Sequence, residues 1–371
     1  MNKIIEFFKE FLSVFRKNKI LSDDNTFVVW EACSGSHGEV IPGFVRYLLD
    51  LGYTVSVVMY RGHHHDGLFS RLKNERLFFN HISRKQAKKY FKTADLSKFK
   101  GIMVTTMGKL CQDSDVAEAQ SAFSETISRD KLLFVEHDAK IAVDENRWDS
   151  NIITLRKLNY KNADSVVVNP HSFGKIEITP KNPGAVNFVT IGAINPKRKN
   201  STAIIEAVKK LVDNGITDFR VTVIGKGKLK DIPQEVRPYL DIKGRLNFYR
   251  MYEELEKADF MLTSYDPENE LHQRYNTVGT SGNFQLVYGF GKPCIIVKDF
   301  AEINGFNEKN SIIYNTPADY TDAMQKAISM SVEDYAAMQK NLCEYANDLY
   351  NESRNNLEQL IRKKQEAQNN E

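Results

Sequence analysis

The chain has 371 residues, of which 42% are hydrophobic and 27% are charged. This length and balance are typical of a folded globular protein of two domains and exclude a collagen-like or largely disordered chain. The 51 basic and 48 acidic residues leave a net charge of only +3, and because the basic residues are scattered, nucleic acid is not an expected partner. Four widely spaced cysteines form no CxxC pair, which is typical of a reduced cytoplasmic protein.

The first 20 residues have the pattern of an amphipathic helix. Residues 1–20 carry five basic and two acidic side chains, and one helical face is formed by Ile4, Phe8, Phe11 and Phe15. This pattern suits a peripheral contact with the anionic inner face of the plasma membrane, and docking on the protein's own core suits it equally well. The sequence has neither a signal peptide's uninterrupted apolar centre nor an apolar run of about 18 residues that would span a bilayer.

Strand and helix patterns alternate through the N-terminal half. A short apolar run at 27–30, a loop of small residues at 32–38 and a helical repeat that ends at Gly52 lead into a strand at 53–59. This order predicts a βαβ unit whose loop lies at the carboxyl end of the first strand. Further predicted elements are strands at 102–105, 132–135 and 165–168 and a helix at 153–160.

Prolines and glycines are concentrated at residues 169–184, which indicates a linker between two domains. Strands and helices then alternate again as far as residue 297. We therefore predict an α/β protein with two Rossmann-like, doubly wound domains that face each other across a cleft. Its predicted parts are an amphipathic helix at 1–20, an N-terminal domain at 21–178, a C-terminal domain at 179–345, and a C-terminal helix and tail at 346–371.

A loop rich in glycine and hydroxyl groups opens directly into an apolar helix in the C-terminal half. The junction consists of Thr280, Ser281, Gly282 and Asn283. Free backbone N–H groups and the positive end of a helix dipole favour a diphosphate, although Ser281 equally suits an ordinary helix N-cap. A second loop carries Arg198 and Lys199 ahead of another helix, where cations either neutralise phosphates or simply face solvent.

Several glycine motifs follow one another in a characteristic order, namely residues 192–200, residues 225–227, residues 244–246 and residues 280–293. In the N-terminal half, residues 36–43 form an opening loop after the first strand. Together these motifs resemble the bacterial GT-B-fold glycosyltransferases of the family 4 (group 1) type. The resemblance extends over roughly residues 26 to 315.

The resemblance implies that a sugar passes from a nucleotide-diphosphate-sugar donor to a saccharide or lipid-linked saccharide acceptor, in bacterial surface polysaccharide synthesis. It also implies that neither a cofactor nor a metal is required. The base and ribose would be contacted by Gly225, Gly227, Gly244, Arg245 and Leu246. The diphosphate would be held by Arg198 or Lys199 together with Thr280, Ser281, Gly282 and Asn283, and the donor sugar would be approached by Arg274 and Tyr275.

The sequence departs from the family pattern at three positions. Ala193 replaces the usual arginine, and Val278 and Leu286 stand where a pair of glutamates is common. These departures leave the donor-sugar contacts and the stereochemical outcome open. Two other functions therefore stay open as well: a sugar-nucleotide epimerase of the same fold, and a non-catalytic partner in polysaccharide assembly.

Four residues are candidates for the chemical step. His37 follows the first strand, where the resemblance implies the base of an inverting enzyme, and the pKa of histidine suits that work. His137 and Asp138 follow the fourth strand, where the resemblance implies a histidine beside the donor sugar of a retaining enzyme. Glu39 is an acid–base candidate, or a charge in the first turn of a helix.

Two motifs are weak candidates for metal binding. Residues 63–66, His-His-His-Asp, are adjacent in one loop, and adjacent side chains rarely converge on one ion without further ligands. Asp113 and Asp115 form an Asp-x-Asp pattern ahead of an apparent helix, where helix capping is favoured. The sequence therefore predicts no metal site.

Overall fold

The computed structural model describes residues 23–31, 38–59, 61–81, 86, 89–91, 95–106, 129–161, 163–194, 201–227, 229 and 232–368. The predicted amphipathic helix at 1–20 lies outside these residues. The same holds for His37, for Arg198 and Lys199, and for Asp113 and Asp115. Among the described helices, none is long and apolar enough to cross a membrane.

The N-terminal half forms a parallel sheet of seven strands, β1 Thr26–Trp30, β2 Thr54–Met59, β3 Leu77–His81, β4 Gly101–Val104, β5 Leu132–Glu136, β6 Ile152–Thr154 and β7 Val166–Val167. Their order in the sheet is β3-β2-β1-β4-β5-β6-β7. The α-helices described in this half are α1 Ile41–Asp50, α2 Arg61–His65 and α3 Ala139–Asp144. Strands β1, β4 and β6 are buried along their whole length, and apart from Thr26 and Thr154 at strand ends their sequences do not alternate between apolar and polar residues.

The prediction of a helix at 153–160 is wrong. Ile152, Ile153 and Thr154 are the strand β6, and residues 155–160 form a loop. Three successive β-branched side chains favour a buried strand, and this local preference outweighs the helical spacing of the residues that follow.

The C-terminal half forms a second parallel sheet of six strands, β8 Val186–Ile191, β9 Phe219–Ile224, β10 Leu240–Gly244, β11 Phe260–Leu262, β12 Cys294–Val297 and β13 Ile312–Tyr314. Their order in the sheet is β10-β9-β8-β11-β12-β13. The helices are α4 Ser201–Asp213, α5 Phe248–Lys257, α6 Glu270–Gln273, α7 Gly282–Phe290, α8 Lys298–Ala301, α9 Tyr320–Ser329 and α10 Val332–Gln368. The prediction of an α/β protein with two Rossmann-like sheets is confirmed.

The last helix, α10, belongs to both halves of the molecule. Tyr335 and Leu342 are part of the hydrophobic core of the second sheet, whereas Leu357 and Leu360 are part of the core of the first. The helix crosses the predicted domain limit at residue 345 without a break. It therefore joins the two domains through packing in addition to the chain connection at 169–184.

Glycines bring the linker close to both domains. A Cβ on Gly43 of α1 would lie 2.3 Å from the carbonyl oxygen of Pro170, and one on Gly289 of α7 would lie 2.3 Å from that of His171. Only a residue without a Cβ allows the backbones to approach this closely. The linker therefore has a tightly packed path between the two sheets.

We expect Gly43→Ala to lower the free energy of unfolding by about 1–3 kcal/mol, because the new methyl group overlaps a backbone atom that has little freedom to shift. Gly184→Ala is the matched control, since its Cβ would meet only the side chain of Asn182, at 3.5 Å. Urea unfolding of the three proteins measures the difference. Equal stability of Gly43→Ala and Gly184→Ala would contradict the tight linker path.

Candidate functional site

A cavity of about 600 Å³ lies between the two domains. The first domain contributes Glu39, Asp66 and His137 to its wall. The second domain contributes Gly225, Arg245, Leu246, Arg274, Tyr275, Thr280, Ser281, Gly282 and Asn283. Ligands of doubly wound sheets bind at the carboxyl ends of the strands, and the two sheets bring these ends together here. Most of the described residues that the sequence nominated therefore lie around one cavity.

The N-terminus of α7 forms one wall of the cavity. Ser281 is its N-cap, and the Ser281 hydroxyl oxygen accepts the N–H of Asn283 at 3.4 Å and the hydroxyl of Tyr265 at 2.5 Å. The capping role considered for Ser281 is thus present. The positive end of the helix dipole still faces the cavity, because the neighbouring Thr280 and Gly282 also line it. The buried Tyr265, which the sequence analysis missed, fixes the position of the cap.

Glycines at the carboxyl ends of β8 and β9 form a second wall. A Cβ on Gly225 would lie 1.7 Å from the carbonyl oxygen of Gly192, so the two strand ends touch through their backbones. Gly227 and Gly244 have φ of +129° and +66°, the left-handed region in which glycine is favoured. Gly225 lines the cavity, whereas Gly227 and Gly244 shape the turns behind it.

Arg245 and Leu246 complete this end of the cavity and connect it with the first domain. An Arg245 guanidinium nitrogen lies 3.9 Å from a carboxylate oxygen of Asp66. The backbone N–H of Phe248 donates to the carbonyl of Asp66 at 2.7 Å. The end of the cavity that the resemblance gives to the nucleotide base is therefore bounded by both domains.

Glu39 faces the N-terminus of α7 from the first domain. It lies in the short 3₁₀ helix Gly38–Val40, and a Cβ on Gly282 would come within 2.7 Å of its Oε1 atom. Burial of the carboxyl raises the pKa of Glu39 to about 7. A group with this pKa gives and takes a proton easily near neutral pH, which is the property of a general acid–base catalyst.

His137 follows β5 and is buried at the cavity wall. Its Nε2 lies 2.8 Å from the carbonyl oxygen of Thr105. Because a carbonyl only accepts, Nε2 carries the ring proton and Nδ1 is the acceptor. Burial lowers the pKa of His137 to about 4, so the ring is neutral at pH 7. A neutral ring suits a hydrogen bond to a ligand better than the work of a base at that pH.

Asp138 does not line the cavity. Its carboxylate accepts the N–H of Lys140 at 3.2 Å as the N-cap of α3, and it pairs with Arg274 of the second domain at 2.7 Å. Arg274 in turn lies over the ring of Tyr275, with 5.6 Å between the guanidinium carbon and the ring centroid. Asp138 thus connects the domains and orients Arg274 at the cavity wall.

Glu136 is a buried carboxyl group that the sequence analysis did not single out. Its Oε1 accepts the backbone N–H groups of His137 at 3.0 Å and Asp138 at 3.2 Å. Burial raises its pKa to about 8. The group therefore shapes the turn that carries His137, and its position at a strand end gave no sign of this burial in the sequence.

The histidine-rich segment at 63–66 was predicted as a loop, but His64 and His65 belong to the helix α2, and His64 is hydrogen-bonded to His81 at the end of β3. Nδ1 of His64 lies 2.7 Å from Nε2 of His81, and the His64 ring stacks on Phe79. In the part of the chain that the structure describes, no group of three or more His, Cys, Asp or Glu side chains is arranged to hold a metal ion.

Comparisons with known proteins agree with this architecture. No family model and no curated protein matches the sequence. A glycosyltransferase from Rickettsia africae ESF-5 has a similar structure with a TM-score of 0.56 and 10% identity, covering 92% of this chain and 97% of that one. Trehalose-6-phosphate synthase OtsA matches with a TM-score of 0.50 and 11% identity, covering 91% and 98%. AviGT4, a glycosyltransferase involved in avilamycin A biosynthesis, also has a TM-score of 0.50 and 11% identity, covering 88% and 97%.

At these identities the likeness shows the fold. The chain has the two-domain GT-B architecture of glycosyltransferases, as the sequence motifs predicted. The specific assignment to the family 4 type and the roles of individual site residues stay predictions.

We expect Glu39→Gln to raise the melting temperature at pH 8 and to change it little at pH 5. Folding raises the pKa of Glu39 from its ordinary 4.5 to about 7, so the wild type loses stability as the pH rises through this window. Glutamine does not titrate and escapes the loss. Calorimetry at both pH values checks this, with the exposed Glu253→Gln as the control.

Proposed function

We propose that the protein is a metal-independent glycosyltransferase that moves a sugar from a nucleotide-diphosphate-sugar donor to a saccharide or lipid-linked saccharide acceptor. The observation that carries the proposal is the apposition of Glu39 and Gly282. A titratable carboxyl from one domain faces a helix N-terminus from the other, inside a cavity of about 600 Å³. Anion binding and proton transfer are the two functions that this reaction needs.

The donor diphosphate binds at the start of α7 in this proposal. Backbone N–H groups of the first turn and the hydroxyls of Thr280 and Ser281 hold its oxygens, and the helix dipole stabilises its charge. Arg198 and Lys199, which follow β8 in the sequence, are proposed to add positive charge for the diphosphate. This combination replaces the divalent ion that other glycosyltransferases use, so neither a metal nor a cofactor takes part.

The chemical step places the acceptor hydroxyl beside Glu39. The carboxylate takes the hydroxyl proton while the acceptor oxygen forms a bond to the anomeric carbon of the donor sugar. The bond from that carbon to the diphosphate oxygen breaks, and the nucleotide diphosphate leaves with its electron pair. The N-terminus of α7 stabilises the charge that develops on it. This direct displacement inverts the anomeric configuration.

His37 and His137 define two variants of the step. His37 is two residues from Glu39 and is a second candidate for the base. His137 contacts the donor sugar in the other variant, and a retaining enzyme would depend on that contact more than on a base. Residues 1–20, as an amphipathic helix at the plasma membrane, would bring the cavity close to a lipid-linked acceptor.

We expect one of UDP, GDP, ADP or dTDP to stabilise the protein more than the corresponding monophosphate does, and to do so in EDTA. Binding at one hundred times the dissociation constant stabilises the folded state by roughly 2.7 kcal/mol. Ser281→Ala should weaken this shift. The matched control is Ser331→Ala, which removes a serine from the start of α10 instead. The absence of a shift with all four diphosphates would refute the donor site.

We expect Glu39→Gln to lower turnover by about two to four orders of magnitude, the usual contribution of a general base. In the wild type, turnover should rise with pH through about 7, because the base acts when deprotonated, and this limb should vanish in the variant. Donor affinity should change little.

His37→Ala and His137→Ala separate the alternatives when turnover, donor affinity and product anomer are measured together. Loss of turnover in His37→Ala alone assigns the base to His37. Loss of both turnover and donor affinity in His137→Ala, with a retained anomer, favours the retaining variant.

An epimerase acting on the donor alone is the second candidate. Glu39 lines the cavity with a pKa of about 7, which makes it a weak acid of the kind that such chemistry uses. Incubation with a sugar nucleotide and no acceptor distinguishes it, since only an epimerase would yield an isomeric sugar. A non-catalytic assembly partner would leave both the sugar nucleotide and an added acceptor unchanged.

A further inference from the structure

A single arginine of the first domain holds the loop that leads into α7 of the second. Arg156 follows β6, and its guanidinium donates to the carbonyl of Gly279 from Nε at 3.0 Å and from Nη2 at 2.7 Å. Nη2 also donates to the carbonyl of Tyr275 at 2.8 Å, and Nη1 donates to that of Lys157 at 2.7 Å. The side chain therefore fixes two carbonyls of one loop at once.

Backbone hydrogen bonds reinforce this grip. Ala139 of the first domain donates its N–H to the carbonyl of Val278 at 2.7 Å, and Asn159 donates to that of Thr277 at 3.2 Å. Asp138 and Gly279 form an isolated antiparallel bridge. The loop at 274–280 belongs to the second domain in sequence, yet its backbone is bonded to the first domain along most of its length.

The chemistry of Arg156 suits this role and no shorter or simpler side chain does. The residue is 7% exposed, and burial lowers the pKa of its guanidinium to about 10, which still leaves it charged at neutral pH. A planar fork with fixed donor directions reaches two carbonyls of one loop, whereas a lysine offers one nitrogen. The buried positive charge also lies beside the loop that precedes the anion-binding turn.

We propose that Arg156 is a positioning residue that couples the acceptor domain to the donor-phosphate turn. Through Gly279, it sets the backbone that continues into Thr280, Ser281 and Gly282. The turn therefore keeps its shape only while the first domain holds the loop, and donor binding depends on this contact between the two domains. This inference rests on the proposed function for the identity of the ligand.

A second contact between the domains offers a matched control. Arg71 of the first domain pairs with Glu256 of α5 at 2.6 Å, and Tyr252 of α5 donates its hydroxyl to the carbonyl of Leu68 at 3.2 Å. Neither Arg71 nor Glu256 lines the cavity. Removing this ion pair weakens the domain contact without touching the loop at 274–280.

The test compares Arg156→Lys, Arg156→Ala and Arg71→Ala in the full chain, first without any ligand. Hydrogen–deuterium exchange of the amides at 277–284 should become at least about tenfold faster in both Arg156 variants. The loop can then open without first breaking the hydrogen bonds that Arg156 makes in the wild type. Arg71→Ala should leave it unchanged. Arg156→Lys keeps the charge, so it remains informative if Arg156→Ala fails to fold. Unchanged exchange in Arg156→Lys overturns the inference.

Donor kinetics then separate positioning from a general loss of structure. With the diphosphate sugar whose nucleotide stabilises the wild type, Arg156→Lys should raise the donor KM about tenfold or more and leave the acceptor KM within about threefold. Equal changes in both KM values would overturn the link to the donor turn. If no diphosphate binds the wild type, the proposed function fails, and the exchange experiment still decides whether Arg156 positions the loop.

Discussion

The cavity depends on backbone contact between the two domains at the residues just before α7. A parallel sheet places its loops at the carboxyl ends of its strands, so two such sheets make a site only when these ends face each other. The bridge between Asp138 and Gly279 and the bonds from Arg156 fix that arrangement. In this arrangement Glu39 of the first domain lies against Gly282 at the start of α7.

The same contact has an electrostatic cost. It removes the carboxyl group of Glu39 from water, which is unfavourable for the ionised form, and the pKa of Glu39 near 7 is the result. The protein tolerates this cost at a residue that lines the cavity. Ionisable groups with strongly shifted pKa values are common at functional sites. The substitution Glu39→Gln would remove this electrostatic cost, because glutamine carries no charge. It would also remove the carboxyl group that binds and releases a proton.

The sequence predicted the sheets and the glycine motifs because their signals are local. Apolar runs bounded by glycine and proline identify strands, and a hydroxyl residue ahead of an apolar helix identifies the start of α7, with Ser281 as its cap. The prediction of a helix at 153–160 failed because a short apolar segment is compatible with the period of a helix and with that of a strand. Only the tertiary structure selects the strand β6.

What could not be predicted arises from contacts between residues that are far apart in the chain. Arg156 and Gly279 are 123 positions apart, and an arginine in a loop looks like a solvated surface residue until its partners are known. Tyr265 and Glu136 likewise acquire their positions from burial. The resemblance to glycosyltransferases brought Asp138 into the candidate catalytic set, whereas the structure shows an ion pair and a helix cap.

Burial raises the pKa of Glu39 and lowers the pKa of His137, the two acid–base candidates that the structure describes. The two side chains therefore differ in what they can do at neutral pH. Desolvation disfavours whichever form carries the charge, so it keeps Glu39 protonated up to about pH 7 and keeps His137 neutral down to about pH 4. Of these two residues, therefore, only Glu39 changes its protonation state near neutral pH, and the proton on Nε2 of His137 is held by the carbonyl of Thr105. This difference is why we propose Glu39 as the proton acceptor, and with it the inverting variant of the proposed reaction.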